Sequence, residues 1–268
     1  MSEAYYFFCF AKSGPAPDGE PGFGLVEGQK LFRIPFRELV MVVSKVPLED
    51  FAGPGAEERL NNVEWVTPRA LRHGQVVQEM CALSPVLPAR FGTLFSSEQK
   101  LISLAESNYD SIIEFLELIR DKDEWAIRVY LDRDRLKATL FQKRIDILDI
   151  DLSSLSPGVR YFREKQIQAE VEKDISSWVN EKIQKVATSL DSISSQLQAR
   201  KAHKNAFDEN NKELVANWAV LLNKSDFQKL QELVFATNSN SDCDGLELTI
   251  SGPWPPYSFA PPLEMENW

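Results

Sequence analysis

The sequence predicts an α+β chain of two domains, an amino-terminal antiparallel sheet with helices and a carboxy-terminal α+β domain carrying one long helix. Three observations lead there. In the first half, short runs rich in aromatic and β-branched residues alternate with stretches of helical period. Residues 159–202 contain no glycine or proline and repeat their apolar positions at spacings of four and three. A length of 268 residues exceeds one small core and suggests about two domains, with the boundary placed between 133 and 134.

Tyr5–Ala11 is a continuous aromatic-rich run and reads as a buried strand. Residues 13–24 crowd glycine, proline and aspartate into a loop. Gly22-Phe23-Gly24 there lacks the third glycine and the Gly-Lys-Ser/Thr of a phosphate loop, so a nucleotide site is not read from it. Residues 31–36 and 39–46 read as two strands, ended by Pro47–Phe51. Thr67 followed by Pro68 predicts a helix start, with Leu71, Val76, Val77 and Met80 as a rough apolar stripe. Ser96 or Ser97 caps a second helix running to Ile119, and Trp125–Leu131 alternates as a strand. The order of elements suggests a ferredoxin-like sheet with its helices on one face.

A shorter helix is expected over 134–148 and a break over 153–158. The long helix then carries a seam of Val171, Ile175, Val179, Ile183, Val186, Leu190, Ile193 and Leu197. That seam either pairs with another helix, of this chain or a second one, or lies across its own domain, the reading favoured here. Residues 205–211 read as a polar break, and Leu214–Leu222 as a buried strand. A helix capped at Ser225-Asp226 and a strand over Leu246–Ile250 complete the chain.

Composition excludes several functions. With 40 acidic against 30 basic residues the net charge is −10, opposite to what a phosphate backbone or an anionic lipid surface attracts. No signal peptide is read at the amino terminus, and no apolar run approaches the length of a membrane span. Cys9, Cys81 and Cys243 are odd in number and far apart, as in a reducing compartment. The two histidines, His73 and His203, leave little for acid–base or metal chemistry, and no metal-binding spacing or nucleophile motif occurs. No cofactor, metal or catalytic residue is expected, and the acidic pairs Asp149/Asp151 and Asp242/Asp244 read as solvated turns.

Two segments stand out. Residues 84–95 are apolar enough for burial yet carry Pro85, Pro88, Arg90 and Gly92. The prolines point to a sheet edge, and Gly92 to a bulge or a close backbone approach. Arg90 among Leu87, Phe91 and Leu94 either forms a structural ion pair or faces a partner. The second segment interleaves Trp254, Tyr257 and Phe259 with Pro253, Pro255 and Pro256, and either receives a partner or ties the last strand to the core. Arg90, Phe91, Gly92, Trp254, Pro255 and Tyr257 are therefore the candidate partner-binding residues.

Val86-Leu87-Pro88-Ala89-Arg90-Phe91-Gly92-Thr93-Leu94-Phe95 resembles a signature of the gas vesicle synthesis protein F and L family (GvpF/GvpL), and Gly252–Phe259 is similar to that family's carboxy-terminal signature. Val42-Val43-Ser44, Val46–Phe51, His73 and Glu124-Trp125 fit the same pattern, so the likeness covers about Tyr5 to Phe259 and leans to the F branch. The resemblance implies a non-enzymatic accessory protein of gas vesicles, a minor component in or near the vesicle. It implies binding of the hydrophobic shell protein GvpA, and contact with other accessory proteins, so that the shell protein does not aggregate during nucleation. A lasting place in the vesicle wall without that holding role is the alternative.

Overall fold

A computed structural model describes residues 2–13, 22–26, 28–201, 208, 210–240 and 243–264. His203, Asp242, most of the loop at 13–24 and much of the break at 205–211 lie outside the described residues. The chain divides into two compact units, Met1–Asp123 with Trp254–Trp268, and Glu124–Pro253.

The first unit is built on β1 (Glu3–Lys12), β2 (Leu31–Phe36), β3 (Leu39–Pro47), β4 (Val86–Pro88) and β5 (Leu94–Phe95). They form an antiparallel sheet in the order β2-β3-β1-β4, with β5 pairing β1 further along the same strand. Between Phe7 and Cys9 the β1–β3 register slips. This bulge changes which residues share a face. Ala4 and Tyr6 precede it, Phe8 is the extra residue, and Cys9 and Ala11 follow it, yet all five join one core cluster with Val76, Val77 and Met80. Phe7 and Phe10 are fully or almost fully buried outside that cluster.

Helices cover both faces, not one. α1 (Ala56–Asn61) and α2 (Val63–Cys81) precede β4, and α2 packs on β1 and β4. α2 starts four residues before the expected Thr67, because Asn62 caps it by accepting from the Trp65 N–H at 3.2 Å. Pro68 thus lies inside the helix. The buried stripe is His73, Val76, Val77 and Met80, at i, i+3, i+4 and i+7, while Leu71 faces solvent. α3 (Glu98–Ser107) and α4 (Tyr109–Leu118) contact β1, β2, β4 and β5 and share no residue with the α2 cluster, so they occupy the other face. The sequence suggests one helix here; Asn108 splits it, with φ −115° and its side chain turned back to the Leu104 carbonyl at 2.9 Å.

In the second unit the sheet order is β7 (Gln196–Ala199), β8 (Glu213–Asn223), β6 (Lys122–Leu131), β9 (Leu246–Trp254). β6, expected as the last strand of the first sheet, belongs to this one. α5 (Arg133–Leu148), α6 (Pro157–Ile193) and α7 (Phe227–Asn238) supply the apolar cover. Ile167, Val171, Ile175, Val179, Val186 and Leu190 of the α6 seam are buried in this unit's own core. The helix ends at Ile193 instead of running to 202, and Leu197 lies in β7 opposite Val220. A serine-rich stretch marks the stop, with the Ser194 and Ser192 hydroxyls bonding to helix carbonyls.

Candidate functional site

The edge of the first sheet is where the two marked segments meet. β4 and β5 are one edge strand interrupted by Ala89–Thr93. The excursion remains tied to β1 at both ends, by Ala89 N–H to the Phe8 carbonyl at 2.8 Å and Phe7 N–H to the Thr93 carbonyl at 2.9 Å. Within it the Thr93 N–H donates to the Arg90 carbonyl at 3.2 Å, and Gly92 has φ +83°. A left-handed residue at the third position of a four-residue turn is the type II arrangement, which favours glycine. Gly92 is a turn requirement, since a Cβ there would meet nothing within 4 Å.

His73, 3 % exposed, joins this turn to the tail. The Gly92 N–H donates to the Tyr6 hydroxyl oxygen at 3.1 Å, which directs the Tyr6 O–H to His73 Nδ1 at 2.9 Å. Nδ1 then accepts, so the hydrogen sits on Nε2, assigned from this network. Nε2 lies 3.0 Å from the Ala89 carbonyl and 3.1 Å from the Tyr257 hydroxyl. The ring stacks on Phe8 at 5.5 Å and meets Tyr6 and Phe91 edge-on at 5.7 and 6.0 Å. Burial holds His73 down at about 4, partly opposed by the bond to Ala89, so the imidazole is neutral at pH 7. Burial likewise raises the Tyr6 and Tyr257 hydroxyls well above the usual phenol value.

A second tie holds the tail further on. The Asn108 amide donates to the Glu264 carbonyl at 3.0 Å and accepts from the Glu264 N–H at 2.8 Å. This side chain, 5 % exposed, pairs with main chain as a neighbouring strand would. The tail thus touches α2 at His73 and the α3–α4 junction at Asn108, on opposite faces of the sheet.

Four of the six candidate residues are packed or bonded at this junction. Phe91 packs among Tyr6, Phe51 and His73, Gly92 bonds to Tyr6, Pro255 is buried, and Tyr257 reaches His73. Arg90 is exposed and has no ion-pair partner among the described residues, and Trp254 is 48 % exposed. Tyr6 and Asn108 carry no sequence signal of their own. His73 does, as a polar residue in register with Val76, Val77 and Met80 on the buried stripe.

A cleft of about 320 Å³ beside Asp132 and Asn238 holds charges that neutralise one another, Arg135 with Asp244 at 2.6 Å and Lys212 with Glu247. Among the described residues no three His, Cys, Asp or Glu are placed to hold a metal, and no helix is long and apolar enough to cross a membrane.

A family model described as gas vesicle synthesis protein GvpL/GvpF matches residues 4–261. The chain is 24% identical over 249 residues to gas vesicle protein L of Streptomyces sp. (strain CB03234), covering 92% of this chain and 88% of that one. It is also 24% identical over 213 residues to gas vesicle protein L1 of Halobacterium salinarum, covering 75% and 73%. In fold it is similar to the crystal structure of GvpF from Anabaena sp. PCC7120, with TM-score 0.64 at 14% identity and full coverage of both chains. The GvpF structure from Microcystis aeruginosa gives 0.61 at 16% identity, covering 96% and 99%. The structural likeness speaks for the fold, and the sequence match for kinship: the chain belongs to the gas vesicle synthesis protein GvpL/GvpF family.

Proposed function

We propose that the protein is a non-enzymatic accessory factor that binds the hydrophobic gas vesicle shell protein and keeps it from aggregating during assembly. The observation that carries this reading, beyond family, is a group of exposed apolar side chains at one end of the α5–α6 hairpin. Ile147 is 76 % exposed, Phe162 75 %, Tyr161 58 %, Val159 56 % and Leu148 40 %. Residues 157–166 of α6 bury nothing fully, whereas the seam from Ile167 onward is packed. Large apolar surface gathered in one place marks an interaction site more often than an idle surface. Light scattering of the shell protein, alone and with this chain, tests the proposal. Suppressed scattering that is lost with Ile147→Asp/Phe162→Asp is the expected result. Unchanged scattering with the unaltered chain in excess defeats the holding role.

A further inference from the structure

We propose that, where no shell protein is present, the apolar end of the α5–α6 hairpin is covered by the same surface of a second copy, in a weak two-fold dimer that the shell protein must open. This rests on the reading just given, that this end is the holding surface, and names what occupies it meanwhile. The charges beside the apolar side chains single out a copy of this chain. Residues 145–156, the end of α5 and the turn after it, carry Asp146, Asp149 and Asp151 and no basic residue. Residues 157–166, the start of α6, carry Arg160, Arg163 and Lys165 against one acid, Glu164, which Arg160 engages at 2.7 Å. Among the described residues none of the three aspartates forms an ion pair, and neither do Arg163 and Lys165. Asp146 takes a hydrogen bond from the Gln142 amide instead, and Asp151 caps its own turn at Ser153. One helix end is thus acidic and its neighbour basic, with exposed apolar side chains on both.

Such a surface fits itself. A two-fold axis along the hairpin sets α5 of one copy against α6 of the other and keeps every residue at its own level. Lys137 pairs with Glu172 at 2.9 Å, and Phe141 and Gln168 line one cavity, so the antiparallel helices stand level at 147 and 162. Ile147 and Leu148 of one copy then meet Tyr161 and Phe162 of the other. Asp146 comes within a turn of Lys165, and the symmetry repeats that contact. Apolar side chains meet apolar ones and acid meets base, which favours this pairing over one that sets α5 on α5. Scaled to whole side chains of roughly 150–200 Å², the five exposures given above leave about 500 Å² open per copy. Two copies cover about 1,000 Å², the lower bound of a specific interface. The dimer is accordingly weak, with Kd on the order of 10 µM, and gives way to a partner that offers more apolar area.

Sedimentation equilibrium of the full chain from about 1 to about 100 µM brackets that value. Monomer at the low end and dimer at the high end is the expected result, and monomer throughout overturns the proposal. Asp146→Lys and Lys165→Asp each set like charges at both symmetry-related contacts, and each should weaken association about tenfold. An equimolar mixture of the two variants restores an acid opposite a base at both contacts. It should associate about as tightly as the unaltered chain, a recovery not open to a variant that has merely misfolded. Single variants as tight as the unaltered chain, or a mixture no tighter than its components, overturn the two-fold pairing. Shell protein added in excess should lower the dimer fraction, and a dimer that persists while scattering is suppressed overturns the shared surface. Failure of the unaltered chain to suppress scattering removes the proposed function, while sedimentation without shell protein still decides whether the dimer forms.

Discussion

Replacing His73 with glutamine should remove a block of acid sensitivity from the protein. The imidazole is buried and held at about 4, against 6.5 for the ordinary group. Between those values the unfolded chain takes up a proton that the folded chain refuses. The contribution is therefore whole above about pH 6.5, declines as pH falls, and is gone below about 4. A difference of about 2.5 pH units corresponds to roughly 3–4 kcal/mol, at about 1.4 kcal/mol per unit. The surrounding groups do not offset this, because burial keeps Tyr6 and Tyr257 protonated throughout the range. Carboxylates held low by hydrogen bonds, such as Glu117 by that from Lys12 and Asp244 by that from Thr139, lose their contribution toward still lower pH and do so in both proteins. Urea unfolding at pH 7.5, 6.0, 5.0 and 4.5 supplies the comparison. The unaltered chain should lose stability steeply from pH 6 to 4.5, and His73→Gln should start lower by about 1–2 kcal/mol for its lost bonds but decline less. Parallel curves would refute the reasoning, as would a His73 ring signal titrating near the ordinary value.

Gly92→Ala should lower stability by about 1 kcal/mol in a thermal melt, since only the left-handed backbone opposes it. Gly245→Ala should cost more, about 3 kcal/mol, because φ is +93° and the new Cβ would stand 2.8 Å from Leu136 Cβ and 3.1 Å from its backbone. Arg90→Ala should leave the unfolding midpoint within about 0.5 kcal/mol, as expected for an exposed side chain without an ion pair. Glu124→Gln should cost about 2 kcal/mol by denaturant titration, for Glu124 is 1 % exposed and pairs with the half-buried Arg200.

The strands were legible because their side chains announce themselves: Tyr5–Ala11, Leu39–Val46 and Leu214–Leu222 are dense in aromatic and β-branched residues. Their partners were not, since pairing is decided by packing far along the chain, and β6 reads the same in either sheet. The split at Asn108 was hidden because leucine and isoleucine keep helical spacing on both sides of it, and the residue at the break also pairs with Glu264, 156 positions away. The same distance hid the site. Phe91 and Gly92 on one side and Tyr257 on the other were marked by composition, but the residue between them is a histidine in the middle of an amphipathic helix. Only the depth of its burial showed why both segments need it.

The pairing of Asn108 with Glu264 works as a ruler. A carboxamide that bonds the main-chain N–H and C=O of one residue is blind to that residue's side chain. His73, by contrast, meets a side-chain hydroxyl at position 257. Seven positions separate the two contacts, so the interval between them is constrained while most identities within it are free. Tail sequences can drift from one relative to the next, but a single residue inserted or deleted between 257 and 264 puts one of the two contacts out of reach. Variation in this stretch should accordingly take the form of substitution and almost never of length.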